Sequence, residues 1–450
     1  MKKVLTIAGS DSGGGAGVQA DIKTFTAFGV YATSVITSVT AQNTMGVEGI
    51  FDLPAEFVEL QLDAILRDIG TDAVKTGMLS NTPVVEMLAE RLRDKELKKS
   101  VVDPVMISKS KHFLLQPTAR EVLKTKLVPR TYVITPNIPE AQLISETEIN
   151  DEEGMKKAAQ IIYKMGARNV VIKGGHLKGK AIDIFFDGKN YFRYEFERLP
   201  GKHTHGTGCT FAASIAAGLA LGMDLDKAVI KAKEFVTRAI AHGFAIGQGI
   251  GPANHLFEKV WAEEVVKRRK ELVEALDKLK RAKIGYLIPE VRSNFVVALG
   301  NAVGPGDVLG FPGRILPMNE NIMTIAPPIP GGSNHMAKVV LTAMRGSRSI
   351  KSGINLAYSG ELISAFESRG YQVAEFDRKR EPKKVRDTEG ASLEWGTSLV
   401  IKRLGVVPDV IFDKGAIGKE AMVRVLGKNP KDVARKVVGV WNLIKESFPG

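Results

Sequence analysis

Short, unbroken apolar runs rich in β-branched residues, separated by amphipathic stretches, constrain the fold more than any other feature of the chain. Val4–Ala8, Ala32–Val39, Ala73–Lys75, Val101–Val102, Tyr132–Ile134 and Val170–Ile172 read as strands. Their apolar character does not alternate, as expected where a sheet is covered on both faces. Pro54–Ile69 and Asp151–Met165 read as amphipathic helices between them. Strand–helix alternation implies βαβ units and a mostly parallel sheet, an α/β fold. Ile182–Phe186 and Tyr191–Phe196 flank Asp-Gly-Lys-Asn and predict a hairpin added at one edge.

At 450 residues the chain is long for one hydrophobic core. Between Leu256 and Lys283 the pattern changes. Trp261, Val265, Leu272, Leu276 and Leu279 recur at spacings of three, four or seven, which predicts an amphipathic helix and a domain connection. A second alternation follows: strands at Phe295–Leu299, Ile322–Ile325, Ile354–Tyr358, Val373–Phe376 and Val410–Phe412, with helices near Ala337–Met344 and Leu362–Arg369. The expected domains are 1–258, a connecting helix over 259–283, and a second α/β domain over 270–450.

Net charge is uneven. Residues 1–260 carry 32 basic and 29 acidic side chains, or +3; residues 261–450 carry 31 and 21, or +10. The second half therefore suits anionic partners. No basic stripe interleaved with aromatic residues accompanies that charge, so phosphorylated small molecules are expected and nucleic acid is not. No apolar run of about 18 residues is present, so no membrane span is expected. The opening Met1-Lys2-Lys3 and its short apolar run read as a first strand, not a leader, because a glycine loop follows at once. Cys209 is the only cysteine, which excludes an intrachain disulfide and a cysteine-ligated zinc and suggests a reducing cytoplasm.

Two glycine clusters carry the chemistry. Gly9-Ser10-Asp11-Ser12-Gly13-Gly14-Gly15-Ala16-Gly17 follows a strand and opens a helix near Val18, where free amides attract anions. It is neither a P-loop nor a dinucleotide fingerprint, and alone it reads equally as a tight turn capped by Asp11. His203-Thr204-His205-Gly206-Thr207-Gly208-Cys209-Thr210 runs into a helix of small residues. Amides of Gly206, Gly208 and Cys209 suit an anion hole for a phosphoryl group in transfer. At a helix N-terminus the Cys209 thiol is expected to have a lowered pKa and to serve as a base.

The ordered motifs AGSDSGGGAGVQADIKTF, TAQNTMGV, KTGMLS, VVDPVM, TPNIPEA, VIKGGH and HTHGTGCTFAASIA resemble the hydroxymethylpyrimidine/phosphomethylpyrimidine kinases of thiamine synthesis, within the ribokinase-like superfamily. The resemblance covers about residues 1–255 and implies a three-layer α/β/α domain using ATP and Mg²⁺. It implies that Gln42 pairs with an aminopyrimidine edge, with Gly9, Asp21, Met78 and Val105 completing that pocket. Asp103 and Glu140 would hold Mg²⁺ directly or through water, and Asn137 and Lys173 would contact ATP phosphates. Cys209 matches the family's base. Some pyridoxal kinases share this cysteine.

In the second half, Phe311-Pro312-Gly313-Arg314, the turn Pro330-Gly331-Gly332-Ser333-Asn334-His335-Met336 and the run Asp413-Lys414-Gly415-Ala416-Ile417-Gly418-Lys419-Glu420 stand at strand ends, where open α/β folds place ligands. The second and third are expected to open helices. Taken as residues alone they suggest a phosphate site or plain exposed turns. The stretches GNAVGPGDVLGFPGRI, GGSNHMAK and DVIFDKGAIGKE resemble the archaeal-type thiamine-phosphate synthase domain. This implies displacement of pyrophosphate by a thiazole nitrogen, with Arg314 clamping phosphate and His335 donating a hydrogen bond or proton. Lys414 and Lys419 are further anion contacts.

The expected protein is thus a two-domain thiamine-pathway transferase with small-molecule substrates and no nucleic-acid or membrane partner, forming a homo-oligomer. The alternative is a pyridoxal-type kinase fused to a non-catalytic thiamine-phosphate sensor.

Overall fold

The computed structural model describes residues 1–106, 114–175, 177, 181–196, 203–382, 385, 391–416 and 418–447. His176 of the Lys-Gly-Gly-His run and Ile417 lie outside them. The chain divides into two compact units, Met1–Phe257 and Glu258–Gly450.

The first unit is built on one nine-stranded sheet. Its strands are β1 (Lys3–Asp11), β2 (Tyr31–Gln42), β3 (Val47–Asp52), β4 (Ala73–Thr76), β5 (Ser100–Val102), β6 (Val133–Ile134), β7 (Val170–Ile172), β8 (Ala181–Phe186) and β9 (Tyr191–Phe196). They lie in the order β3-β2-β1-β4-β5-β6-β7-β8-β9. The six strands from β2 to β7 along this row pair parallel. The hairpin β8–β9 closes one edge antiparallel, as its turn predicts. β3 adds an antiparallel strand at the other edge that the sequence reading does not anticipate.

Alternate strand residues serve opposite faces, the period of a pleated strand. Leu5, Ile7, Val74, Val102, Ile134 and Val170 pack with Val58, Leu62, Leu88, Ala141 and Ile162 from helices on one side. Val4, Ala73, Val101, Val133 and Val171 pack with Phe25, Phe211, Ile215, Ala228 and Val229 from helices on the other. Both faces are buried, which is why the runs look uniformly apolar and the domain has three layers.

The second unit begins at Glu258, within the Phe257–Arg281 helix. Its Val265, Leu272, Leu276 and Leu279 are buried in this unit's own core, so the apolar stripe read as a connection is a packing face. The strands are β10 (Phe295–Ala298), β11 (Val308–Gly310), β12 (Ile315–Met318), β13 (Asn321–Thr324), β14 (Ile329–Pro330), β15 (Ser352–Ala357), β16 (Val373–Glu375), β17 (Val410–Asp413) and β18 (Met422–Gly427). Seven form a sheet in the order β14-β11-β10-β15-β18-β17-β16, while β12 and β13 make a separate ribbon. Only β16 and β17 pair parallel; the rest of the large sheet is antiparallel. Helices cover both faces here too.

One local expectation fails. The Gly331–Ser333 turn does open a helix, Asn334–Gly346, but Asp413–Glu420 does not. Gly415 and Gly418 have φ of +75° and +73°, and Ala416 bridges Lys419. The chain thereby doubles back into β18, antiparallel to β17.

Candidate functional sites

Parallel strands aim their carboxyl ends one way, and loops there can converge on a ligand. Gly9 lies near the end of β1, Gln42 ends β2, Met78 follows β4, and Asp103 and Val105 follow β5. Asn137 follows β6 and Lys173 follows β7. The topology therefore gathers these predicted residues along one edge.

The two glycine clusters meet there. Asp11 organises the first by accepting from the amides of Gly13, Gly15 and Ala16 at 2.8, 3.0 and 2.8 Å. It also lies 2.9 Å from His205 Nε2, on the second cluster. Burial raises the Asp11 pKa, but His205 and the amides outweigh it and leave the carboxyl below its usual range. Gly206 has a φ of +79°, and a Cβ there would lie 1.7 Å from the Gly15 carbonyl oxygen, so only glycine permits this approach. Gln42 Nε2 lies 3.2 Å from His205 Nε2.

Beyond Gly206 the Thr207–Ala220 helix begins. A Cβ at Gly208 would lie 3.5 Å from Asp103 Oδ2 and 3.6 Å from Lys173 Nζ. Lys173 Nζ pairs with Asp103 Oδ1 at 2.7 Å. Asn137 and Glu140 form a reciprocal capping box on the Ile138–Ser145 helix. Burial, with Asp103 beside it and Lys173 opposing, pushes the Glu140 carboxyl up to about 7. Gly9 faces Met78, whose sulfur would lie 3.2 Å from a Cβ at Gly9.

Burial alters the expected chemistry at Cys209 and gives Asp21 a buried partner. The Cys209 thiol is not depressed by its helix position: burial pushes it up to about 11, against the pull of Lys75 and the Gly17 amide. Helix-terminal amides lower a thiol pKa only when they outweigh lost hydration. Asp21 is fully buried, accepting from Thr6 Oγ1 at 2.6 Å and from Lys75 Nζ at 2.7 Å. The side chain anchors Lys75, which the sequence does not single out, and leaves Oδ1 buried without a hydrogen-bond partner. Burial opposes the Lys75 charge, but Asp21, Cys209 and Asp103 hold the ammonium protonated. Its mark in the sequence is one lysine inside a short strand, Val74-Lys75-Thr76, which by itself does not distinguish a buried from an exposed charge.

In the second unit a cavity of about 420 Å³ brings Arg314, His335 and Lys419 together. Arg314 has a φ of +70° and its guanidinium donates to the Val291 carbonyl. Lys419 Nζ reaches Ser392 Oγ at 3.0 Å and Glu381 Oε2 at 3.4 Å. Lys414 does not join them; exposed, it lies 3.5 Å from Glu375 Oε2. Arg292, Arg378 and Arg424, none of which the sequence reading singles out, also line the cavity.

Comparison with known proteins assigns a family to each unit. Residues 11–254 match the family model for phosphomethylpyrimidine kinase, and residues 271–439 match that for thiamine-phosphate synthase ThiN. Over 254 residues the chain is 50% identical to the thiamine biosynthesis bifunctional protein ThiED of Geobacter sulfurreducens, covering 56% of this chain and about half of that protein, 52%. A hydroxymethylpyrimidine/phosphomethylpyrimidine kinase of Streptomyces coelicolor is 48% identical over 252 residues, 56% of this chain and 93% of that one. The pyridoxal kinase of Bacillus subtilis, solved with ADP, superposes with a TM-score of 0.54 at 40% identity, over 58% of this chain and 99% of its own. No helix among the described residues is long and apolar enough to cross a membrane. The chain belongs to the phosphomethylpyrimidine kinase family and carries behind its ribokinase-like kinase domain a thiamine-phosphate synthase ThiN domain.

Proposed function

We propose that the first domain phosphorylates 4-amino-5-hydroxymethyl-2-methylpyrimidine twice with ATP, and that the second joins the diphosphate to hydroxyethylthiazole phosphate, releasing pyrophosphate. The observation that carries the kinase reading is the Asp103–Lys173 pair lying against Gly208, beside Cys209. In the first step the Cys209 thiolate takes the hydroxyl proton, the alcohol oxygen bonds to the γ-phosphorus, and the bond from that phosphorus to the bridging oxygen breaks, its electron pair leaving with ADP. Amides of Gly206, Gly208 and Cys209, with Lys173, receive the charge of the moving phosphoryl group. In the second step the nucleophile is already an anionic phosphate.

Asp103 and Glu140 suit Mg²⁺. They are two buried carboxylates in the field of one lysine, Lys173, a hard-oxygen set that phosphate oxygens would complete. Among the described residues no cluster of three or more His, Cys, Asp or Glu is placed to hold a metal by itself. When bound, the ion neutralises phosphate charge. In the second domain Arg314 clamps phosphate and His335 supports the leaving group.

The site belongs in the cytoplasm, where ATP is available. The exposed Ile50 and Phe51 on edge strand β3, with Phe57 and Leu60 nearby in the chain, support a homo-oligomer, which sedimentation would test.

The decisive assay supplies the pure chain with the pyrimidine alcohol, ATP, Mg²⁺ and thiazole phosphate and looks for thiamine phosphate by mass. Its absence, with pyridoxal phosphorylated in its place, would support the pyridoxal-kinase reading that the Bacillus likeness also suggests.

A further inference from the structure

The cavity of the second unit has a built floor. Arg378 and Arg424 share one carboxylate, Asp413, which is completely buried. Arg378 donates to it through Nε and, at 3.2 Å, through Nη2. Arg424 Nη2 reaches the same Oδ2 at 2.8 Å, and the Gly415 amide donates to Oδ1 at 2.9 Å. Both guanidiniums lie over the Phe376 ring, at 5.6 and 5.5 Å. Gly396 lets a helix press on that ring, since a Cβ there would lie 2.6 Å from it.

Two cations held by one anion leave a formal excess of one positive charge below the cavity, in a place where an uncompensated charge is costly. Both arginines line the cavity, and Asp413 is committed to four donors. An anion bound above the two guanidiniums would supply that compensation. Arg292, Arg314 and Lys419 stand around the same cavity with one lining carboxylate, Glu420, and Lys419 lies 3.4 Å from Glu381, so the wall keeps cationic groups for a second anion.

We propose that Arg378 and Arg424, set by Asp413, form the seat for the diphosphate of the pyrimidine substrate, with Asp413 as a positioning residue. This rests on the synthase reading above. The bond between the pyrimidine methylene carbon and the diphosphate oxygen breaks, and its electron pair stays on that oxygen. The thiazole nitrogen lone pair forms the new bond to carbon. The product is a thiazolium cation and the leaving group is pyrophosphate, so no proton need move. Fixed guanidiniums under the leaving oxygens stabilise the charge as it develops.

The test titrates pyrophosphate into the full chain and into R378Q and R424Q full chains by calorimetry. The kinase domain is the same in all three, so differences report the second unit. Losing one charge-assisted contact should weaken pyrophosphate binding about tenfold or more. R378K should restore part of it, and the KM for thiazole phosphate should stay within about twofold, since a tenfold change would need a lost contact of similar strength. An unchanged isotherm in folded R378Q and R424Q overturns the proposal, as does a selective rise in the thiazole phosphate KM. If pyrophosphate binding depends on Arg378 while wild type makes no thiamine phosphate, the seat stands and the synthase reading falls. Should R424Q fail to fold, R378Q at the cavity wall still decides.

Discussion

His205 Nε2 lies 2.9 Å from Asp11 Oδ2, tying two glycine clusters that are 194 residues apart in the chain. The same carboxylate holds three amides of the first cluster. Asp11 thereby stabilises the fold only while ionised. Its folded pKa lies below the ordinary 3.8, so its contribution is complete above about pH 4 and is lost as pH falls through the folded value. The acid limb of the stability curve, followed by circular dichroism from about pH 6 downwards, should be shallower in D11N. Superimposable limbs would dissociate Asp11 from acid unfolding.

The buried Asp21–Lys75 pair makes a second, larger prediction. K75M leaves a fully buried carboxylate without its cation and should cost about 3–5 kcal/mol, while D21N/K75M should lose less than the two single changes added together. Urea denaturation of the four chains measures the coupling. Strict additivity would mean that the pair contributes nothing specific.

Cys209 predicts a difference between the two phosphorylations. With its pKa pushed up to about 11, the thiolate is a minor form in the free site. For the alcohol substrate kcat/KM should rise about tenfold per unit over roughly pH 7–10, and C209A should abolish that slope. The monophosphate needs no deprotonation, so its profile should be flatter and its loss in C209A smaller. Equal losses in the two steps, assayed separately, would rule out a base role.

Neighbouring glycines should fail in different ways. At Gly206 an added methyl meets the Gly15 carbonyl at 1.7 Å, so G206A should lower the melting temperature sharply. At Gly208 the nearest atoms are 3.5 and 3.6 Å away, ordinary contact distances. G208A should therefore melt near the wild-type temperature yet raise the KM for ATP, by filling space opposite Lys173 and Asp103. Matching thermal and kinetic defects in both variants would mean that Gly208 is only structural.

Much of the first domain was legible because its strands are buried on both faces and appear as apolar runs. β3 was not, since only Val47 of its six residues is buried and an edge strand needs no apolar pattern. The Asp413–Glu420 run has the glycines of a helix start, but their positive φ values serve a reversal that antiparallel pairing demands. Lys75 and Arg424 sit among Val and Thr neighbours in strands, where a lone charge suggests a solvent-facing position. Both are buried because a carboxylate from elsewhere in its domain meets each one.

The sequence by itself determined the α/β class, the placement of most strands, the glycine clusters and the residue types able to bind phosphate. Those follow from local periodicity and backbone freedom, which act over a few residues. Only the tertiary structure decided that Asp11 grips His205, that Asp21 pairs with Lys75, that the Cys209 thiol is raised, and that Asp413 binds two arginines. Charge pairing and hydration depend on which distant groups share a buried volume, and no local pattern encodes that.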